Sequence, residues 1–369
     1  MKNKKIGIIT FHRAINYGAI LQTYALTKFI DNYYDVKVID YRNDYFENMY
    51  YNYFNPFKCL SVFKGVKCII KWSLNINNQY SKYKKMRSFV NFSNDYIKKT
   101  CIVKNTAQLI KVSQDMDYII SGSDQVWNLK ISNYNTSYLL DFLSKKKSLT
   151  YAVSFGKDQI DSKSKNIMQN HIYNFSSYLI RENSGVNLLK DLFDIKGQLV
   201  CDPTLLLDLS SWEDIEKKSK LNISNYVLIY LVAEPLYLIE EAIKMAKKNG
   251  STIVIIGTKK IAYKKVMYLK AASPEDFVYL FHHANVAYTT SFHGIMFSII
   301  FNKEFFYELS HKVDNNNGRI IDFINYVDLK NREVLFSSDK KIYWTLVNSR
   351  LDEFRNNSKR LLLDTLNDE

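Results

Sequence analysis

Cysteine is scarce in this chain of 369 residues, and its spacing matches no CxxC or other ligand motif; the four cysteines are Cys59, Cys68, Cys101 and Cys201. A disulfide framework and a cysteine zinc site are therefore excluded, and the scarcity fits a reducing compartment. Long apolar runs are also missing, because no segment approaches the roughly 18 to 20 apolar residues that cross a bilayer. The run at 6–10 is too short for a signal-peptide core, so we expect a cytoplasmic protein.

Several ligand motifs are missing as well. The sequence contains no GxGxxG or Walker loop and no zinc-finger, RNP or helix-turn-helix pattern. The net charge of +14 nevertheless indicates an acidic partner, which is a phosphorylated substrate, an anionic membrane surface or nucleic acid. Because the positive charge is spread along the chain rather than gathered in an arm, we expect no nucleic acid among the partners.

What the chain does contain is a regular alternation of strands and helices. The first forty residues predict a strand (6–9), a loop, a helix (19–30) and a second strand (36–40), which form a βαβ unit of a parallel sheet. The alternation resumes near residue 117 and includes a strand over 149–155. A second cycle begins near residue 225. We predict an α/β fold of two Rossmann-like domains facing a cleft, at 1–210 and 211–369, with a C-terminal helix in the second.

The segment at about 45–100 departs from this alternation. It contains aromatic residues such as Tyr45 and Phe46, followed by many lysines. Such a segment fits a membrane interface or a glycan. Alternatively, it is a helical excursion of the N-terminal domain whose aromatic side chains pack against that domain.

The most informative stretch lies at 285–300. A β-rich run at 286–289 is followed by Thr290 and Ser291, and a helical pattern then begins at His293. The free N–H groups of a helix N-terminus suit an anion, and a histidine beside an anion can donate a proton near neutral pH. The alternative is that His293 only begins the helix and packs against its neighbours.

Five segments in this order resemble the polysaccharide pyruvyl transferases; they are Asn16–Leu26, Ser121–Asn128, Arg181–Ser184, Asp202–Leu206 and Thr290–Gly294. The resemblance extends from about residue 5 to residue 325. It implies a two-domain fold similar to GT-B glycosyltransferases. It also implies transfer of a pyruvyl group from phosphoenolpyruvate to two hydroxyls of a sugar, which forms a cyclic ketal and releases phosphate. The acceptor implied is a cell-surface polysaccharide precursor or a lipid-linked oligosaccharide.

The resemblance also implies roles for particular residues. His293 corresponds to the family's essential histidine and is the expected general acid, which protonates the methylene carbon of phosphoenolpyruvate. Arg181 aligns with the family's Arg-Glu motif and is expected to bind the donor. Alternatively, Arg181 forms a salt bridge with Glu182.

The donor-binding element departs from the family at one position. Characterised members often have an arginine where this chain has Ser291. A serine hydroxyl can bind a phosphate, together with Gly294 in the same element, but it carries no charge. Lys312 resembles a family donor-binding lysine, and Arg319 lies near it in the sequence. Either one could replace the lost charge, unless both lie in a solvated loop.

The acceptor side is defined less sharply by the sequence. Asp124, in a Gly-Ser loop at a strand end, is the expected base, although it could instead bond its own loop. Trp127 could stack on a sugar, and His12 and Asn16 border the exit of the first strand. Asp202 is expected to shape the interdomain turn.

We expect no metal and no cofactor besides the co-substrate phosphoenolpyruvate, and we interpret His282 and His283 as structural residues at a helix end. Two other functions remain open. One is a glycosyltransferase that uses a nucleotide sugar on the same architecture. The other is a non-catalytic glycan- or membrane-binding relative. A location at the inner face of the membrane is also open.

Overall fold

The computed structural model of the protein describes residues 4–51, 76–143, 147–311, 317–336 and 341–367. The strands are β1 (Lys5–Ile9), β2 (Asp35–Tyr41), β3 (Lys99–Val103), β4 (Tyr118–Ser121), β5 (Ser148–Thr150), β6 (Leu179–Ile180), β7 (Gln198–Leu199), β8 (Tyr226–Tyr230), β9 (Thr252–Ile256), β10 (Val266–Leu269), β11 (Val286–Thr289) and β12 (Phe305–Tyr307).

The helices are α1 (Tyr17–Asp31), α2 (Asp44–Tyr50), α3 (Ile76–Tyr96), α4 (Thr106–Gln114), α5 (Ser162–Gln169), α6 (Asn183–Phe193), α7 (Leu209–Glu216), α8 (Leu238–Asn249), α9 (Pro274–His283), α10 (Phe292–Ile300), α11 (Gly318–Val327) and α12 (Trp344–Asn367). Short 3-10 helices occur at Thr136–Leu139, Ile172–Asn174, Pro203–Leu205, Lys330–Arg332 and Val334–Phe336. None of the helices in the described ranges is long and apolar enough to cross a membrane.

Two parallel five-stranded sheets form the two halves of the molecule. Their strand orders are β3-β2-β1-β4-β5 and β10-β9-β8-β11-β12, so the second sheet repeats the topology of the first. The central strand β8 is buried at all five positions and β1 at four of five, as expected for parallel strands covered on both faces. The prediction of two Rossmann-like domains is therefore confirmed. In each sheet the order reverses beside the central strand, where such folds bind ligands.

The strand predicted at 149–155 is shorter in the structure. Strand β5 ends at Thr150, because Ala152 has a left-handed backbone (φ 49°) that a regular strand cannot contain. Beyond that residue, Val153 forms isolated bridges with Asp124 and Ile180. These bridges connect the first sheet with the small β6-β7 sheet.

The last helix, α12, contacts the first half of the molecule. Lys4 donates to the carbonyl of Leu366 (2.9 Å), and the backbone N–H of Cys201 donates to Ser358 Oγ (2.8 Å). A boundary at residue 210 therefore assigns to the C-terminal unit a helix that also packs on the N-terminal unit.

The aromatic and basic excursion is described at its two ends, and residues 52–75 lie outside the described residues. Its ends are the helices α2 and α3. Phe46, Phe89 and Phe92 are buried, whereas Tyr80 and Tyr83 are exposed. These described ends thus pack through one face against the N-terminal half and, in the case of α3, also against α9 of the second half, and they leave other aromatic residues at the surface.

Candidate functional site

The loops at the two points of strand-order reversal meet in one cavity of about 360 Å³. The first half contributes residues that follow β1 and β4, and the second half contributes residues that follow β8 and β11. The described lining consists of Asn16, Asp124, Gln125, Tyr230, Val232, Ala233, Thr290, Ser291, Phe292, His293, Ser310, Asn317, Arg319 and Ile320. The cavity therefore lies where each half, taken alone, would place a ligand.

The N-terminus of α10 opens into this cavity. Its N-cap residue, Ser291, makes no side-chain bond to the first turn of the helix, so the serine does not satisfy the N–H groups there. Thr289 holds the preceding loop, because its hydroxyl donates to the carbonyl of Tyr230 (2.7 Å) and accepts from the Ser291 N–H (3.1 Å). Gly294 packs against the same threonine, with no room for a side chain. An uncapped helix N-terminus of this kind attracts anions.

His293 is buried in the first turn of α10, 7% exposed. Its Nε2 lies 3.5 Å from Asp202 Oδ2, which is too far for a regular hydrogen bond. On its other side the ring packs on Gly18 of α1, where a methyl group would lie 2.1 Å from His293 Nδ1. The imidazole therefore lies between the Asp202 carboxylate and Gly18, both of which belong to the first half.

Arg181, the predicted donor-binding residue, directly follows strand β6 and has a buried side chain that pairs with carboxylates. Its side chain is 1% exposed; Nη1 donates to Asp202 Oδ2 (2.9 Å) and Nη2 to Asp124 Oδ1 (3.3 Å). Glu182 lies farther away, at 3.9 Å from Arg181 Nε. Arg181 is not among the residues that line the cavity, although its partner Asp124 is. It fixes the positions of those two aspartates.

Arg319, at the start of α11, does line the cavity. Its Nη1 lies 3.9 Å from Asp124 Oδ1, and its guanidinium carbon lies 5.4 Å from the centre of the Phe292 ring. Burial, followed by the charge of Arg181, lowers the Arg319 pKa to about 10, so the group stays charged at neutral pH. Of the two arginines, Arg319 has the looser contacts with carboxylates.

Asp124 lines the cavity in the loop after β4. Its backbone is left-handed (φ 74°), and its carbonyl accepts from the N–H groups of Val126 (2.8 Å) and Ser154 (3.0 Å). Burial alone would raise the Asp124 pKa, but Arg181, His293 and Arg319 outweigh burial and lower it. Asp124 is therefore a carboxylate at neutral pH.

Asp202 is also ionised. Its Oδ1 accepts from the Thr204 N–H (3.0 Å) and from the Thr204 hydroxyl (2.8 Å), which begins the short helix Pro203–Leu205. Burial opposes ionisation, but His293 and Arg181 outweigh burial and hold the Asp202 pKa well below its usual range. Asp202 thus shapes the turn, as expected from the sequence, and also faces His293, which the sequence analysis missed.

His12 and Trp127, which were also predicted to contact the acceptor, are not among the residues that line this cavity. His12 is buried, with Nδ1 3.2 Å from the carbonyl of Thr10 and Nε2 3.3 Å from Asp40 Oδ1. Trp127 is fully buried, and its ring makes edge contacts with Phe155 and Phe175. Neither side chain lines this cavity, but Trp127 is part of the lining of a second cavity in the first half, together with Asn128, Lys157 and Asp158.

Asn16 does reach the cavity, where its Oδ1 also caps α1 by accepting from the Ala19 N–H (3.2 Å). Lys312 lies outside the described residues. The structure therefore brings His293, Asp124, Ser291, Arg319 and Asn16 together, and it adds Asp202.

The comparisons with known proteins agree with this architecture. A sequence model of the family described as Polysaccharide pyruvyl transferase matches residues 16–308. Two similar solved structures are UDP-GlcNAc 2-epimerases. The one from Methanocaldococcus jannaschii has a TM-score of 0.51 and 11% identity, covering 98% of this chain and 99% of that chain. The one from Rickettsia bellii has a TM-score of 0.50 and 10% identity, covering 99% and 96%.

At such low identity the likeness to these structures shows the fold alone, which is of the GT-B type that the family resemblance implied. No curated protein matched the chain.

Proposed function

The chain belongs to the polysaccharide pyruvyl transferase family, which makes it a transferase, and we propose that its donor is phosphoenolpyruvate. We propose that the enolpyruvyl group is moved to two hydroxyls of a sugar, with formation of a cyclic ketal and release of phosphate. The observation that carries this proposal is the meeting of His293, Arg319 and the uncapped N-terminus of α10 in one cavity.

The donor is a small molecule with two anionic groups, a phosphate and a carboxylate. The first N–H groups of α10 can bind one of them, and the guanidinium of Arg319 can bind the other in a bidentate contact. Arg319 supplies the positive charge that an arginine at position 291 would otherwise bring. Arg181 is a positioning residue in this proposal, because its terminal nitrogens bind the carboxylates of Asp124 and Asp202.

The reaction begins with a proton. His293 gives a proton to the methylene carbon of phosphoenolpyruvate, and the adjacent carbon becomes an oxocarbenium-like centre. A sugar hydroxyl attacks that centre and loses its proton, the bond to phosphate breaks, and a second hydroxyl closes the ketal. Of the two hydroxyl protons, one restores His293, and the other is taken by Asp124 and passed to the departing phosphate. The carboxylate of Asp202, 3.5 Å from His293 Nε2, stabilises the protonated imidazole before the transfer.

Asp124 is the proposed base for the acceptor hydroxyl. It lies in the same cavity as His293 and is ionised, because nearby cations outweigh burial and lower its pKa. A carboxylate with a low pKa is a weak base. It suffices here, because a hydroxyl that attacks an oxocarbenium-like carbon becomes strongly acidic as the new bond forms.

A second cavity, of about 430 Å³, is the proposed site for the acceptor. It lies in the first half, and its lining includes Lys130, Lys157, Asp158 and Asp161. The two cavities share a wall, because Gln125 of the first cavity packs against Gly156, which precedes Lys157. Polar side chains of both signs suit a sugar, and the two lysines suit an acidic or phosphorylated one.

A nucleotide-sugar donor is the second candidate, since the similar solved structures carry UDP-GlcNAc in their names. One anion site of the second half is already filled. The carboxylate of Glu308 accepts from the N–H groups of Leu236 (2.5 Å), Tyr237 (3.0 Å) and Leu238 (2.7 Å) at the start of α8. A diphosphate could bind there only by displacing this buried side chain, which favours the smaller donor.

Thermal unfolding tests the donor. A ligand that binds only the folded state raises the midpoint by an amount set by its concentration over its dissociation constant. We expect phosphoenolpyruvate to raise the midpoint of the wild type and of the control Arg350→Gln, an ion-paired arginine in α12, but not of Arg319→Gln. A rise with uridine or guanosine diphosphate and none with phosphoenolpyruvate would instead support glycosyl transfer.

A further inference from the structure

Two adjacent histidines and one glutamate converge at the edge of the second half. Glu216 is the last residue of α7, and His282 and His283 are the last residues of α9. His282 Nδ1 lies 2.8 Å from Glu216 Oε2, and His283 Nε2 lies 3.5 Å from the same oxygen. One oxygen from α7 and two nitrogens from α9 thus lie within 4.8 Å of one another.

From this geometry we propose that Glu216, His282 and His283 form a site for a divalent transition-metal cation, with Zn²⁺ as the cation that fits best. Two neutral imidazoles and one carboxylate are the ligand set that zinc takes in three-ligand sites. Zinc ligands at about 2.1 Å from the metal in a tetrahedron are about 3.4 Å apart. The distances from Glu216 Oε2 to His282 Nδ1 (2.8 Å) and to His283 Nε2 (3.5 Å) are on either side of that value. Since all three ligand atoms lie within 4.8 Å of one another, short movements of the side chains would bring them to the spacing that zinc requires.

Both imidazole rings are held in place by neighbouring aromatic side chains. The His282 ring stacks on Phe301 (centroids 4.3 Å, 12°), and the His283 ring lies on Tyr279 (4.3 Å, 31°). Consecutive residues of a helix point in different directions, yet these two reach one oxygen because one uses Nδ1 and the other Nε2. Rings that are already oriented lose little freedom when a metal binds.

The exposure of the three side chains fits an open metal site. Glu216 is 13% exposed, His282 24% and His283 44%, so water can fill the remaining coordination positions on the side of His283. Two lysines are within electrostatic reach of Glu216. Burial lowers the pKa of Lys303 against the influence of that carboxylate, and Lys217 is paired with Asp214 (2.8 Å). These charges weaken the binding of any cation, but neither lysine forms an ion pair with one of the three ligands.

The site is remote from His293. Helix α9 leads directly into β11, so the C-terminus of α9 lies at the amino edge of the second sheet, whereas His293 follows the carboxyl end of β11. A metal here would tie α7, which follows the junction between the halves, to α9 of the second half. Its role would be to stabilise that packing, and the inference does not depend on the identity of the donor.

Equilibrium dialysis of the tag-free, chelator-treated protein against Zn²⁺ tests the proposal, with bound metal measured by mass spectrometry. We expect one equivalent in the wild type. We expect affinity at least about tenfold weaker in His283→Ala and in Glu216→Gln, which keeps the shape of the side chain but removes its charge. His311→Ala is the matched control, because His311 is 39% exposed and bonds a single glutamate, Glu308 (3.0 Å).

Two further readouts separate this site from the others. His293→Ala must keep its equivalent of zinc, and Zn²⁺ must raise the unfolding midpoint of the wild type but not of His283→Ala. No bound zinc in the wild type, or one equivalent retained with unchanged affinity in both His283→Ala and Glu216→Gln, would overturn the proposal.

Discussion

The contact between Gly18 and His293 gives the sharpest test of how the two halves cooperate. A methyl group at position 18 would lie 2.1 Å from His293 Nδ1, whereas ordinary contacts begin at 3.4 Å. The imidazole of Gly18→Ala must therefore move by about 1.3 Å, because α1 is fixed by its Asn16 cap. A displacement of about 1 Å at a reacting group can cost about 100-fold in rate. We expect phosphate release to fall by about that factor.

The stability of Gly18→Ala should fall by no more than a domain of ordinary stability tolerates, so the variant should remain folded. Position 18 is in the first turn of α1, and alanine favours a helix by up to about 1 kcal/mol over glycine. Overpacking costs about 1 to 3 kcal/mol, so the net loss is at most about 3 kcal/mol. Gly197→Ala is the control, because its added methyl group would lie 3.2 Å from side-chain atoms of Ile180 and Leu189 and 3.6 Å from the backbone oxygen of Tyr178, none of which belongs to the cavity.

The assay is phosphate release from phosphoenolpyruvate with a panel of sugar glycosides as acceptors, run beside urea unfolding of each variant. Gly197→Ala should keep full activity. Wild-type turnover by a folded Gly18→Ala would refute the argument that the imidazole must occupy this position.

Three further predictions follow from the charges of the site and of the whole chain. Asp124→Asn should bind phosphoenolpyruvate more tightly, because it removes a negative charge, yet release phosphate about 100-fold more slowly or worse; unchanged turnover would exclude Asp124 as the base. Asp202→Asn should cost about 3 to 5 kcal/mol at neutral pH, because buried Arg181 loses an ionised partner. The folded pKa of Asp202 is lowered, so its contribution is present above the unfolded pKa of about 3.9 and is lost as pH falls through the folded pKa. Urea unfolding should therefore show the two proteins converging below about pH 4, and a constant gap would contradict this. Finally, we propose a peripheral contact with anionic membranes for this protein of charge +14; sedimentation with anionic vesicles should weaken as salt shortens the screening length from about 30 Å at 0.01 M to about 8 Å at 0.15 M, and salt-independent binding would argue against it.

Much of the fold was predictable because it rests on local patterns. The apolar runs of β1 and β8 and the helix-start signal Ser273-Pro274 are visible in the sequence, and the structure has a complete capping box at Ser273. The position of His293 was predictable for the same reason, since a strand, a polar turn and a helix follow one another within 286–300.

The partners of these residues were not predictable, because they depend on packing between distant segments. Asp202 and His293 are 91 positions apart in the sequence. They lie close together only because the turn after β7 packs beside α10. The sequence could assign Arg181 to the site. It could not show which groups the arginine contacts, since no local pattern indicates that its nitrogens bind two aspartates. Glu216 gave no signal at all, because the sequence separates it from His282 by 66 positions.

The most direct test of the central claim is to follow both fragments of the donor in one experiment. Phosphoenolpyruvate labelled in its three-carbon unit is incubated with the enzyme and a pool of glycan acceptors, and label in the glycan is compared with phosphate released. We predict equal amounts of glycan-bound label and phosphate with the wild type, and neither with His293→Ala. Phosphate release without label in the glycan, or full labelling by His293→Ala, would contradict the proposed transfer.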